Sequence, residues 1–160
     1  MNRIPFPVAA SLLLALALAS CSTTTRVEPI EPVPAGSGTL ILEITGLKNA
    51  SGQIHASLFD SPEGFPRDTT LVLRSGTVEL ISRDTVAVRF ENVSYGYYAI
   101  ALLHDENSNG ALDTGLLGIP SEGFGFSNNP RIGFGSPSFE VCRFRLDQPE
   151  VTLQLQMHYF

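Results

Sequence analysis

The sequence predicts an all-β protein, a single antiparallel β-sandwich of about seven or eight strands with Greek-key or prealbumin-like topology. From Thr39 onward, apolar residues recur at every second position, which is the period of a half-buried strand. No stretch after the N-terminal segment has the repeat of about 3.6 residues that marks an amphipathic helix. Glycines and prolines divide the alternating runs at short intervals, as turns between strands do.

The first twenty residues are typical of a signal peptide rather than of a folded domain. Arg3 gives the start a positive charge, and the run from Ile4 to Ala19 is almost wholly apolar. This run is short and has prolines early in it, which disfavours a membrane-spanning helix. The tetrapeptide Leu18-Ala19-Ser20-Cys21 resembles a bacterial lipobox. We therefore predict a lipoprotein signal over residues 1–20 and lipidation of Cys21; the alternative is an ordinary signal peptide that is cut elsewhere.

Lipidation of Cys21 would make the membrane the first partner of the chain. Several acyl chains, palmitate among them, hold a protein firmly because each buried methylene contributes about 0.8 kcal/mol. In lipoproteins of this kind, an Asp after the cysteine often marks retention in the inner membrane, and this chain has Ser22. The resemblance therefore favours the outer membrane of a bacterial cell envelope.

A flexible tether is expected over residues 21–38, and the folded domain over residues 39–160. The tether is rich in Thr, Pro, Glu, Gly and Ser and has no sustained periodicity. Once the signal and its Arg3 are removed, 9 basic and 16 acidic residues remain, a formal charge of −7. This balance disfavours nucleic-acid binding, which depends on clustered Lys and Arg.

The strands follow in order from the alternation. The first two are centred on Leu42 and Ala56, with a turn between Gly46 and Gly52. A hairpin split by Ser75-Gly76 comes next. The remaining predicted strands are residues 86–90, 97–103, 139–146 and 151–159.

Two of these strands carry further expectations. The run from Tyr97 to Leu103 is apolar on both faces, which predicts a central strand that is covered on both sides. The run over residues 139–146 places Cys142, Phe144 and Leu146 on one face. With Cys21 acylated, Cys142 has no disulfide partner, and we expect a buried structural thiol.

The segment from His104 to Asn129 is the strongest candidate for a site. It begins with a D-x-N-x-N-G pattern in which Asp and Asn alternate and Gly110 permits a sharp turn. Calcium takes six to eight oxygen ligands, and such a pattern can direct an oxygen inward at every second residue. We therefore predict Ca²⁺ as a cofactor; the candidate ligands are Asp105, Asn107, Asn109, the carbonyl of Ala111, Asp113 and Glu122.

The calcium hypothesis has a competing interpretation. An EF-hand would have a bidentate Glu at the position of Leu116, so the loop is not an EF-hand. Asp, Asn and Gly also form Asx-turns and accept left-handed backbone. A loop of successive turns, stabilised by bonds between side chain and backbone, would need the same composition.

A ligand site beside this loop is also predicted, for an unidentified glycan or protein. The candidate residues are His104, Phe124, Phe126 and Phe134. The aromatic residues could equally cover one end of the sandwich. A hydrolase acting on a glycan or an ester through this region is the alternative function. We expect no enzyme, because no G-x-S-x-G motif surrounds Ser121 or Ser127.

The central motifs resemble those of a known family. They are Gly96-Tyr97-Tyr98-Ala99-Ile100, His104-Asp105-Glu106-Asn107, Asn109-Gly110, Leu112-Asp113, Gly118-Ile119-Pro120, Glu122-Gly123 and Gly125-Phe126-Ser127-Asn128-Asn129. Together they resemble a bacterial exported family known as a domain of unknown function, number 2141. The resemblance covers roughly residues 39–160, and it implies a small exported β-sandwich with no established activity and no assigned catalytic residues.

Overall fold

The computed structural model describes residues 31–133 and 135–160. The predicted signal over residues 1–20, the lipidation site Cys21, most of the tether and the candidate ligand residue Phe134 lie outside the described residues. A compact unit spans Pro32–Phe160 and contains every strand and both hydrophobic clusters described below. Within the described ranges, no helix is both long enough and apolar enough to cross a membrane.

The described residues confirm an all-β fold. Their eight strands are β1 (Ser37–Thr45), β2 (Gln53–Phe59), β3 (Arg74–Glu79), β4 (Val86–Ser94), β5 (Gly96–Asp105), β6 (Gly123–Phe126), β7 (Phe144–Leu146) and β8 (Glu150–Gln156). The helical segments are short: two 3₁₀ turns over Thr69–Leu71 and Leu116–Gly118, and a single α-helical turn, α1 (Phe139–Cys142).

The strands form two sheets. The first has the order β4-β1-β8, and the second has the order β3-β2-β5-β6, with β7 also paired to β5. Neighbouring strands are antiparallel except for β1 and β8, which pair in parallel with Leu42 opposite Leu153. The predicted sandwich is therefore confirmed, with one parallel pair in the first sheet.

The main core lies between the two sheets. Alternate residues of β1 (Leu40, Leu42 and Ile44) are fully buried there, as the period-two pattern predicted. They join Leu58 of β2 and Ile100 of β5 in one cluster. Each such side chain contributes about 1.5–3 kcal/mol by leaving water, which makes this cluster the chief source of stability.

A second cluster covers one end of the outer face of the five-stranded sheet. It contains Phe59, Ala99, Phe124, Phe126, Phe139 and Cys142. Strand β5 thus contributes Ile100 to the main core and Ala99 to the outer cluster, so this central strand is covered on both sides there. Farther along its outer face, Ala101 and Leu103 are only half-buried.

The predicted hairpin at Ser75-Gly76 is wrong. Both residues lie inside β3, where Gly76 is opposite Ala56 of β2. A Cβ atom on Gly76 would lie 2.8 Å from a methyl group of Val88, so this glycine permits close approach across the sandwich rather than a turn. The preceding residues form a 3₁₀ turn because Asp68 caps it, accepting a hydrogen bond from Thr70 N at 3.0 Å.

The predicted single strand over residues 139–146 is also wrong. Its first half is α1 and its second half is β7. As a result, Cys142 packs in the outer cluster, whereas Phe144 and Leu146 pack in the main core. Burial raises the pKa of the Cys142 thiol to about 11, which agrees with a structural role.

Candidate functional site

The candidate loop begins at Asp105, the last residue of β5. Its side chain is fully buried. One carboxylate oxygen accepts a hydrogen bond from Asn109 N at 3.0 Å, and the other accepts one from Gly110 N at 2.7 Å. The second oxygen also lies 3.2 Å from Nε2 of His55 in β2. Asp105 therefore ties the loop to the outer face of the sheet.

Competing effects act on the pKa of Asp105. Burial raises the pKa, because it penalises the charged form. The hydrogen bonds from Gly110 and Asn109, and those from the side chains of His55 and Gln53, lower it. The donors outweigh burial and hold the pKa of Asp105 below its usual value of 3.8. The carboxylate is consequently charged at neutral pH.

Three side chains meet at the tip of the loop. Nδ2 of Asn107 lies 2.6 Å from an oxygen of Asp113, and Nδ2 of Asn109 lies 3.2 Å from both oxygens. The side-chain oxygen of Asn107 accepts from Asn109 N, and that of Asn109 accepts from Ala111 N at 2.8 Å. These are Asx-turns, which the alternating Asn residues favour.

Glu122 closes the loop from its far end. One oxygen of its buried carboxylate accepts from Glu106 N and the other from Asp113 N, each at 2.9 Å. The beginning of the loop also depends on close packing at Gly52. A Cβ atom there would lie only 1.9 Å from the carbonyl oxygen of Asp105, so a larger residue would displace the end of β5.

The six predicted calcium ligands thus lie within one loop. In the structure, the loop is held by the hydrogen-bonded turns that the same composition also predicted. Among the described residues, no three His, Cys, Asp or Glu side chains form a group that could hold a metal. The Nδ2 atoms of Asn107 and Asn109, rather than their oxygens, face Asp113, and calcium binding stays a prediction.

His104 lies on the opposite face of β5 from the outer cluster. It is fully buried, with Nε2 2.8 Å from Ser51 O and Nδ1 2.6 Å from the hydroxyl of Tyr159. Because a carbonyl only accepts, Nε2 of His104 donates to Ser51 O. These contacts give His104 a structural role in joining β5 to the β1–β2 turn and the C-terminal segment.

Phe124 and Phe126 lie on β6 and belong to the outer cluster. They are 9% and 7% exposed, and their ring centroids lie 5.9 Å apart. Phe124 also packs against the more exposed ring of Phe160, at 5.6 Å. Both phenylalanines therefore cover the outer face of the sheet while keeping an edge toward solvent.

A groove on this outer face was not predicted from the sequence. Its volume is about 1330 Å³, and we call it the outer groove. Two rows of side chains, paired across the strands β3-β2-β5-β6, form its floor: Thr77, His55, Leu103 and Phe124 in one row, and Ser75, Ser57, Ala101 and Phe126 in the other. Each row changes from polar to apolar over roughly 14 Å, the span of four adjacent strands.

Loops form the walls of the outer groove. Residues 110–112, 114 and 117–120 of the candidate loop supply one wall, and residues 66, 67, 69, 72, 73, 132, 133, 135 and 136 supply another. The alternation within β2 and β5 predicted which residues face outward. It could not predict the groove, because strand order and register decide which outward side chains become neighbours.

A comparison with known protein families finds one family whose model matches this chain. The model of one family, described as "Uncharacterized protein conserved in bacteria (DUF2141)", matches residues 42–154. The chain belongs to this family. The match includes the whole candidate loop and confirms the resemblance seen in the central motifs. No curated protein and no solved structure was found that matches the chain.

Proposed function

We propose that this DUF2141 protein is an exported, lipid-anchored binding module of the bacterial cell envelope, and that calcium stabilises its candidate loop. The lipobox-like sequence at Cys21 and the tether support display at a membrane, with the outer membrane favoured by Ser22. The domain carries the binding role.

The outer groove is the observation that carries this proposal. Binding sites for small molecules are concave, with mostly apolar walls and a few polar groups that fix orientation. The outer groove has this composition, and its volume of about 1330 Å³ is ample for a small ligand. The candidate loop forms one of its walls, so the stability of the loop bears directly on the shape of the site.

The tip of the loop supports the calcium part of the proposal. A half-turn of the Asn107 and Asn109 amides would give up the hydrogen bonds that their oxygens accept from backbone N–H groups. It would direct those oxygens to a cation beside Asp113, which would balance the charge of that carboxylate. The candidate ligand atoms for the metal are all oxygens, which calcium prefers. The Asp105 and Glu122 carboxylates, through their backbone hydrogen bonds, hold the loop in a shape that keeps the three tip side chains together.

A calcium titration tests this part on the chain from Ser22 onward, which contains the whole compact unit. Extracellular calcium sites have dissociation constants on the order of 0.1–1 mM, so we expect about 10 mM calcium to raise the melting temperature by about 5 °C. A chelator should reverse the rise. Asp113→Asn, which removes a charge and one oxygen, should reduce the rise by more than half.

Asp60→Asn is the matched control for this titration. Asp60 is an exposed aspartate that follows β2 at the end opposite to the candidate loop. This variant should keep the full response to calcium. An unchanged melting temperature at about 10 mM calcium would reject calcium binding. The candidate loop would then be stabilised only by its hydrogen bonds.

A hydrolase is the second candidate, and one arrangement favours it. Nδ1 of His55 lies 3.0 Å from the hydroxyl of Thr77, and its Nε2 lies 3.2 Å from Asp105. A hydroxyl, an imidazole and a carboxylate in series form the pattern of an activated nucleophile. Turnover of p-nitrophenyl laurate that is lost in both Thr77→Val and His55→Ala would establish it; activity that survives in either variant would not.

A further inference from the structure

Exposed apolar side chains gather around the outer groove. Nine large apolar residues in the described part of the chain are exposed, and five of them line this groove. These are Leu73, Leu112, Leu117, Ile119 and Phe160. A contiguous exposed apolar surface of this kind marks an interaction site. Together with Leu103, Phe124 and Phe126, these residues give the groove a mostly apolar lining.

The charge around the outer groove differs from that of the chain as a whole. The sequence has 16 acidic and 10 basic residues, yet no Asp or Glu is among the described residues that line the groove. Arg67 lies where two wall segments meet, and its Nε donates to the hydroxyl of Ser136 at 3.2 Å. The guanidinium of Arg74, which also lines the groove, donates instead to backbone carbonyls of β4. Of the two arginines among the described residues that line the groove, Arg67 is therefore the one whose guanidinium remains available to a ligand.

We propose that the outer groove binds a single-chain anionic amphiphile, a carboxylate with a long alkyl tail of the fatty-acid type. The tail packs over Leu103, Phe124 and Phe126, against the apolar residues of the 110–120 wall. The carboxylate pairs with the Arg67 guanidinium, which suits a carboxylate because it can donate two parallel hydrogen bonds. The inference rests on the proposed binding role, and it names the class of ligand.

The shape of the site favours one such molecule over a lipid surface. The outer groove is concave, whereas docking on an anionic membrane needs an open cluster of Lys and Arg. The chain has a net negative charge, with Lys48 as its only lysine. The hydroxyl groups of Ser57, Ser75 and Thr77, on the polar side of the floor, provide hydrogen-bond partners for water around the head group.

Isothermal titration calorimetry with laurate below its micellar concentration tests the proposal. The chain from Ser22 onward is used without detergent, and calcium is omitted to keep laurate in solution. We expect one laurate per chain. Decanoate should bind about tenfold more weakly, since two fewer methylenes are buried. Dodecyltrimethylammonium, with the same tail and a cationic head, should bind at least tenfold more weakly than laurate.

Two variants separate the head-group contact from the tail contact. Arg67→Gln should weaken laurate binding about tenfold, whereas Arg89→Gln, at an exposed arginine of the other sheet, should leave it unchanged. Leu103→Asp should abolish binding, because it places a carboxylate in the apolar floor. Circular dichroism checks that each variant is folded.

Specific results would overturn the inference. These are no laurate binding, equal binding of the anionic and cationic amphiphiles, or equal losses in Arg67→Gln and Arg89→Gln. If laurate binds but calcium does not raise the melting temperature, only the proposal that calcium stabilises the candidate loop is rejected. If laurate does not bind but a different ligand binds, and Leu103→Asp abolishes that binding, then the proposed class of ligand is wrong. The proposed binding role of the groove stands in that case.

Discussion

At the scale of single residues, Asp105 is the position on which the candidate loop depends. Its buried carboxylate accepts backbone hydrogen bonds from Asn109 and Gly110 and contacts His55 on the neighbouring strand. Charged acceptors of this kind contribute more than neutral ones, because each hydrogen bond is reinforced by the charge. The aspartate that the sequence suggests as a metal ligand is also the residue that fixes the loop without metal.

The lowered pKa of Asp105 predicts how the stability of the domain changes in acid. A group whose pKa is lower in the folded state stabilises the fold at every pH above its unfolded value, and this contribution is lost as pH falls through the folded value. The unfolded value is 3.8, so the contribution should be complete at neutral pH and should be lost progressively as pH falls below about 4 and through the lower folded value. Melting temperatures measured from pH 7 to pH 2, with chelator present, should fall more steeply for the native chain than for Asp105→Asn.

Asp68 supplies the control for this experiment. Its pKa is also lowered, by hydrogen bonds from the hydroxyl and the backbone N–H of Thr70, but its side chain is exposed to solvent. Exposed interactions contribute little to stability. Asp68→Asn should therefore keep nearly the native dependence on pH. Parallel curves for the native chain and Asp105→Asn would show that Asp105 does not stabilise the fold through its charge.

At the scale of secondary-structure elements, the sequence predicts best where one face of a strand is buried and the other is not. Strands β1, β2, β4 and β5 follow directly from alternation, because their inward residues are large and apolar. Strand β6 was missed, since Gly123 and Gly125 remove every second side chain. These glycines are required by close contacts: a Cβ atom on Gly123 would lie 2.3 Å from the ring of Tyr159.

Turn residues misled the prediction for a related reason. Ser75-Gly76 has the composition of a hairpin turn, but Gly76 lies within β3 and allows this strand to pack closely against Val88 of β4. The composition of residues 105–122 likewise fits both a calcium loop and a set of Asx-turns, because both use the same oxygens. Local sequence indicates which atoms are available, and only the neighbours in space decide which partners they take.

At the scale of the whole molecule, the five-stranded sheet is buried unequally on its two faces. The main core covers its inner face along the full length of β5. The outer cluster covers only part of the outer face, and the outer groove remains open above Phe124 and Phe126 of that cluster and above the neighbouring residues of β2 and β3. Regions with less buried apolar surface open at lower free energy than the core. The outer face should therefore open locally while the sandwich remains folded.

Cys142 gives a direct measurement of this local opening, because the chain from Ser22 onward has no other cysteine. Its thiol, on the last residue of α1, is buried in the outer cluster, and burial raises its pKa to about 11, so very little reactive thiolate is present at pH 8. We expect iodoacetamide to label the native protein far more slowly than the unfolded protein. Phe139→Ala removes a ring from the outer cluster and should speed native-state labelling at least tenfold.

Val141→Ala is the matched control on the same helical turn, since the Val141 side chain is 54% exposed. It should leave the labelling rate nearly unchanged. Circular dichroism recorded under the same conditions should show that Phe139→Ala keeps its sheets while it labels faster, because α1 opens without the main core. If labelling of Phe139→Ala instead follows the loss of β-sheet signal at every denaturant concentration, the outer cluster and the main core unfold as one unit and the outer face does not open independently.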